Sequence, residues 1–185
     1  MREILLLSGA LLLVAGASGA QEKVNQKSRI LEDFGKRVAD YVKLHKAARS
    51  QVQALKPTTS PEAIEHHEHQ LAHRIRESRR GARQGDVFTP EISAEFRRLI
   101  ANTMQGEEAE RIHKSLRRAA PLRPQPLRVN GDYPAGLPLQ STPPSLLLNL
   151  PPLPPEVEYR VVGHDLILRD IEANLVIDFI SDVIP

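Results

Sequence analysis

From Leu31 onward the apolar positions recur at intervals of three and four: Leu31, Phe34, Val38, Tyr41, His45, Ala48, Val52 and Leu55. At 3.6 residues per turn, this spacing puts all eight on one side of a helix. Any fold of this chain must therefore supply a long surface to cover that stripe. The a/d form of the repeat predicts a second helix as the cover, a coiled-coil-like seam. His45 alone breaks the apolar set, and a histidine at such a position reads as a packing or register residue rather than a ligand. Pro57 ends the helix, because the residue before a proline disfavours helical geometry.

The next helices announce themselves by their starts. Ser60-Pro61-Glu62 has a good N-cap, a proline suited to the first turn and an acid facing the positive helix end. Ile64, Leu71, Ile75, Ser78 and Ala82 form a sparse apolar stripe behind it, and Gly81 and Gly85 terminate it. Thr89-Pro90-Glu91 repeats the start signal ahead of Ile92, Phe96, Leu99, Ile100 and Met104. Gly106 interrupts that face, and Glu107, Glu108 and Glu110 open a last helix carrying Ile112 and Leu116 with Lys114, Arg117 and Arg118 at its end. Short connections suit antiparallel neighbours.

Prolines then crowd the chain from Pro121 to Pro155, which predicts extended segments and turns, Asn130-Gly131-Asp132 among them. Ser145 to Leu150 predicts one short helical turn whose leucines cover the sheet that follows, or form a proline-rich ligand for a partner. Three β-patterned segments close the chain: Glu158–Val162, Leu166–Asp170 and Leu175–Ile180. Gly163-His164-Asp165 and Glu172-Ala173-Asn174 supply the turns, Asn174 tolerating a left-handed backbone. Alternation places Leu166, Leu168, Leu175, Ile177 and Phe179 on one face, with Ile167, Arg169, Val176, Asp178 and Ile180 on the other. Apolar residues on both faces require cover on both, since so small a sheet is marginal alone. The predicted class is α+β: a helical hairpin or small bundle over 21–120, a Pro-rich connector over 121–157 and a three-stranded antiparallel meander over 158–185.

Residues 1–20 read as an export signal: Arg2, an apolar run from Ile4 to Ala17, and the small residues Ser18-Gly19-Ala20. The run is short for a membrane span, which needs about 20 residues. Cleavage after Ala20 is expected, an uncleaved anchor being the alternative. The chain has no cysteine, so disulfides and thiolate chemistry are excluded. The net charge of +2 conceals an asymmetry: 14 Lys/Arg against 8 Asp/Glu over 21–85, and 4 against 8 over 121–185. A basic front and an acidic tail can attract each other within or between molecules. A periplasmic or extracellular protein is expected, with an envelope protein or a second copy as partner and no nucleic acid.

The most conspicuous polar cluster is EAIEHHEHQLAH, from Glu62 to His73. His66, His69 and His73 share one helix face with Glu62 and Arg80, opposite Ile64, Leu71 and Ile75. His69 and His73, one turn apart, can chelate a divalent metal. His66 and His73 are roughly 10 Å apart along the axis, so one ion does not easily take all three from a straight helix. A tight site needs ligands from another element, and weak, exchangeable metal binding is expected ahead of catalysis. The competing reading is a solvated face with Glu62/His66 and Glu65/His69 as i,i+4 pairs. The basic run carrying Arg76, Arg79, Arg80 and Arg83 reads as an exposed helix end. His164 beside Asp165 reads as a turn. No nucleophile elbow, Gly-rich phosphate loop or metalloprotease signature occurs, so no catalytic residues and no cofactor are expected.

The tail also carries a resemblance. Pro134, Gly136, Leu137, Pro151, Pro152, Leu153, Pro154, Pro155, Tyr159, Arg160, Val162, Gly163, Asp165, Leu168, Asp170, Val176 and Asp178 occur in an order that resembles the C-terminal module of small periplasmic nickel/cobalt-homeostasis proteins and related anti-virulence regulators. The resemblance implies a compact β-unit in an exported accessory or regulatory protein rather than an enzyme. The helical front lies outside it.

Overall fold

The computed structural model describes residues 15–118, 126–133 and 143–184. Residues 1–14 of the expected export signal, residues 119–120 of the helical region, connector residues 121–125 and 134–142, Pro185, and the side chains of residues 15–21, Lys23, Glu107, Glu108, Leu116, Arg117 and Arg118 lie outside what it describes. Among the described residues the order is α1 (Ala15–Arg49), α2 (Pro61–Ser78), α3 (Pro90–Thr103), α4 (Gly106–Arg118), α5 (Pro144–Leu147), β1 (Val157–Val162), β2 (Asp165–Asp170) and β3 (Leu175–Ile180). The architecture is α+β, with proline-initiated connectors and an antiparallel sheet in the order β1-β2-β3. No described helix is long and apolar enough to cross a membrane.

The two proline starts form as the local chemistry requires. Ser60 Oγ accepts from the Ala63 N–H at 3.3 Å, and Thr89 Oγ1 from the Ile92 N–H at 3.4 Å. Each satisfies a donor that the first helical turn leaves unpaired. The α1 stripe is buried from Phe34 to Ala48. Its cover is a mixed surface of α2, α3 and the sheet rather than one long partner helix. The helix stops at Arg49, short of the expected Leu55, which is left exposed. Val52 still packs at the margin of the core, but Leu55 lies beyond it, so burial supports no further helical turn.

Helices and sheet bury their apolar faces in one continuous core. Its centre is aromatic: Phe34 meets Phe96 edge-on at 4.9 Å and Phe88 at 5.7 Å, and Tyr159 of β1 stacks on Phe34 at 6.4 Å. With only 4 Phe and 3 Tyr in the chain, gathering four of them at one point compensates for the low aromatic content. Leu146 and Leu150 join this core, with the short α5 packed against α3 and α4. On the opposite face Leu127 and Tyr133 lie over Ile167, Val176 and Phe179.

The turns match expectation, with Gly163 at φ 60°, Asn174 at φ 49° and Asn130 at φ 63°. One register feature does not. Leu168 pairs with Asp178 and Arg169 with Val176, leaving Ile177 as an extra residue in β3. This bulge reverses the alternation beyond it. Phe179, expected beside Leu175 and Ile177, lies instead with Ile167 and Val176, and Ile180 turns into the main core.

The bulge also aims Asp178 at the helical layer, where it is fully buried. Its Oδ2 accepts from the N–H groups of Val87 and Phe88, each at 2.8 Å, and from Gly85 at 3.2 Å. The loop entering α3 is thus bound to β3 through one carboxylate.

Candidate functional site

The polar residues of the basic front meet those of the acidic tail at the junction of α1 and α2 with the β2–β3 turn. Asp170 ends β2 with its side chain fully buried. Its Oδ1 accepts from the Ala173 N–H at 2.8 Å, closing the turn. Its Oδ2 accepts from the Tyr41 hydroxyl at 2.6 Å and lies 2.6 Å from His45 Nδ1. The other ring nitrogen, His45 Nε2, is 3.4 Å from Glu172 Oε2. Glu172 Oε1 in turn takes Arg49 of α1 and His67 of α2, the latter at 2.9 Å. Lys46 reaches Glu156, just before β1, at 3.0 Å.

The electrostatics follow from burial and counter-charge. Burial opposes a charge on His45, but the hydrogen bond and charge of Asp170, then Glu172 and Glu156, outweigh it and raise the imidazole above its ordinary value. Burial pushes up the carboxyl of Glu172, and the bonds from His67 and Arg49 more than reverse this, holding it low. The Tyr41 hydroxyl is raised well above its usual range, first by burial and then by Asp170, so it stays a neutral donor. The Arg79 guanidinium lies 5.1 Å over the Tyr41 ring and donates to Asn130 Oδ1 and the Ile177 carbonyl. Arg76 donates to the Asn130 carbonyl at 2.7 Å and to Asp132. These two arginines, expected on an exposed helix end, instead bind α2 to the sheet edge, because the Ile177 carbonyl of β3 and the 130–132 turn lie within their reach.

Chemically this cluster joins layers. His45 and Asp170 are 2% and 0% exposed, so a substrate has no approach to them, and both His45 nitrogens face carboxylates. Sequence reasoning placed His45 in packing, which holds, but missed Asp170, Glu172 and His67 as its polar setting. His67 lay within the cluster already singled out, and its place among Leu71, Ala72 and Ile75 on the buried face was the available signal.

His66, His69 and His73 project from the opposite, exposed face of α2. With Gln70, Arg74 and residues 51–53 they line an open groove of about 460 Å³. His66 accepts from the Gln70 amide at 3.0 Å, His69 lies 3.6 Å from Glu65, and His73 lies 3.5 Å from Glu77. Glu62, expected beside His66, accepts instead from the Ser60 hydroxyl at 2.6 Å. Among the described residues no group of three or more His, Cys, Asp or Glu side chains is placed to hold a metal ion. His164 sits in the β1–β2 turn as expected, but its bonds are not local: its Nδ1 lies 2.7 Å from the Ile184 carbonyl and its own carbonyl accepts from the Val183 and Ile184 N–H groups. A second hollow of about 420 Å³ lies between Leu147, Pro151, Pro152 and Tyr159.

Comparison of the chain with protein-family models, curated proteins and solved structures finds no match.

Proposed function

We propose that this chain is an exported, non-enzymatic accessory protein that works by binding a partner, with the outer face of α2 as the contact surface. The observation that carries the reading is the division of polar residues across α2. On the inner side His67, Arg76 and Arg79 are committed to the sheet and its turn, which makes α2 a fixed platform. On the outer side His66, His69, Gln70, His73 and Arg74 line an open groove. Imidazoles, an amide and a guanidinium on a rigid helix suit an acidic or hydrogen-bonding protein segment. The N-terminal apolar run supports export, and so does the tail's resemblance to small periplasmic regulators.

The test is a photo-crosslinking residue at Gln70 of the full chain in its native host, with Glu91 as the control position. A discrete adduct from position 70, absent from position 91 and lost in a His66→Ala/His69→Ala/Arg74→Ala variant, is expected. Equal labelling from both positions would overturn the surface assignment, and a cytoplasmic fraction holding all the protein would overturn export. The one-turn spacing of His69 and His73 favours a second reading as a weak divalent-metal buffer. Calorimetric titration with nickel that is abolished by His69→Ala/His73→Ala would select it.

A further inference from the structure

His45 meets two carboxylates from one turn, one at each ring nitrogen: Asp170 Oδ2 at 2.6 Å and Glu172 Oε2 at 3.4 Å. A neutral imidazole carries a single N–H. It can donate to one of these partners only, and must then set a lone pair against the other. Two nitrogens facing two carboxylates is the arrangement of an imidazolium. We propose that His45 is the pivot of a pH-dependent latch between the end of α1 and the β2–β3 turn, closed by an imidazolium bridging Asp170 and Glu172 and loosened when that proton leaves.

The surroundings favour this assignment. From α1, Tyr41 donates to Asp170, Arg49 to Glu172, and Lys46 pairs with Glu156. From α2, His67 faces Glu172, and Arg79 lies over the Tyr41 ring. From the sheet side come Asp170, Glu172 and Glu156, the last with a buried Oε2 that has no hydrogen-bond partner among the described residues. Among the described residues His45 is the one cationic group hydrogen-bonded to Asp170, whose other donors, the Tyr41 hydroxyl and the Ala173 N–H, are neutral. Loss of the His45 proton leaves a buried carboxylate with neutral donors alone, which is costly in a low-dielectric setting.

The sign follows from linkage. The imidazole is raised in the folded chain relative to about 6.5 in an unfolded one. The latch is therefore at full strength below about pH 6.5 and weakens as pH rises through the folded value. The chain leaving α1 runs directly into Gln51, Val52 and Gln53, which wall the groove on α2. Opening the latch frees that wall, so ambient pH sets how firmly the groove is shaped. The latch itself does not depend on the groove having a partner.

The experiment is hydrogen exchange on the full chain from pH 5.5 to 9, corrected for intrinsic rates, with an NMR titration of the His45 ring. Amides of 44–53 and 171–176 should lose protection with rising pH, by about tenfold for each unit by which the ring is raised. His45→Gln should remove this dependence, and His66→Gln/His69→Gln/His73→Gln should leave it intact. A ring titrating at or below the free value, or the same pH dependence in His45→Gln as in the wild type, overturns the proposal. The ring titration uses wild-type protein, so it decides the matter even if His45→Gln does not fold.

Discussion

Truncation of Asp178 to alanine is the sharpest probe of how the helical layer is held to the sheet. The side chain is fully buried and accepts from the N–H groups of Val87 and Phe88 at 2.8 Å, of Gly85 at 3.2 Å, and, through Oδ1, of Phe179 at 2.8 Å. Val87 and Phe88 are themselves buried, so water cannot replace the carboxylate without opening the loop. A buried donor left unsatisfied costs about 1–3 kcal/mol. Two such donors, with the small void left behind, predict a loss of about 3–5 kcal/mol for Asp178→Ala. Asp178→Asn keeps the shape and one carbonyl acceptor for Val87 and Phe88, but turns an NH2 donor toward the Phe179 N–H that Oδ1 now accepts, so it should cost about 2–3 kcal/mol, less than the alanine variant. The total to draw on is about 5–15 kcal/mol, so the alanine variant should be close to unfolding. Urea denaturation followed by circular dichroism measures both, with an unchanged slope showing that the loss is in stability. An alanine variant within 1 kcal/mol of wild type, or an asparagine variant as damaged as the alanine one, would refute the reasoning.

Phe34→Ala removes the ring that touches Phe88, Phe96 and Tyr159, and should cost about 3–5 kcal/mol in the same assay. Gly163→Ala should cost about 1–2 kcal/mol in thermal unfolding through the backbone alone, because φ is +60° and an added Cβ meets nothing within 4 Å. Glu172 is held low by His67 and Arg49 against the effect of burial. Its stabilisation is therefore present above the ordinary carboxylate range and lost as pH falls through its depressed value. Glu172→Gln should flatten the stability profile below about pH 4.3, and an acid limb identical to wild type would count against the pairing.

Helix starts, strands and turns were legible in the chain because their causes are local. Ser60 and Thr89 cap the helices they precede, Gly163 and Asn174 supply the left-handed turn positions, and the periods of 3.6 and 2 mark which residues need cover. What would cover them was not legible. The α1 stripe reads as a coiled-coil seam, yet nothing in its spacing distinguishes a helix from a sheet as the opposing surface.

The polar junction was hidden for the same reason in stronger form. His45 and Asp170 are 125 residues apart, and His67 and Glu172 are 105 apart. His45 reads as a packing residue from its place in an apolar seam, and neither Asp170 at a strand end nor Glu172 in a turn carries a local signal that pairs it with α1 or α2. The α2 histidines show the division most plainly: all four lie in one short stretch, but rotation of the helix against the core sends His67 inward and leaves His66, His69 and His73 outside. Local preferences, set by neighbours a few residues away, determined the elements of this protein. Tertiary packing decided the partners of its charges, because a charge can be buried only where the fold brings a counter-charge to meet it.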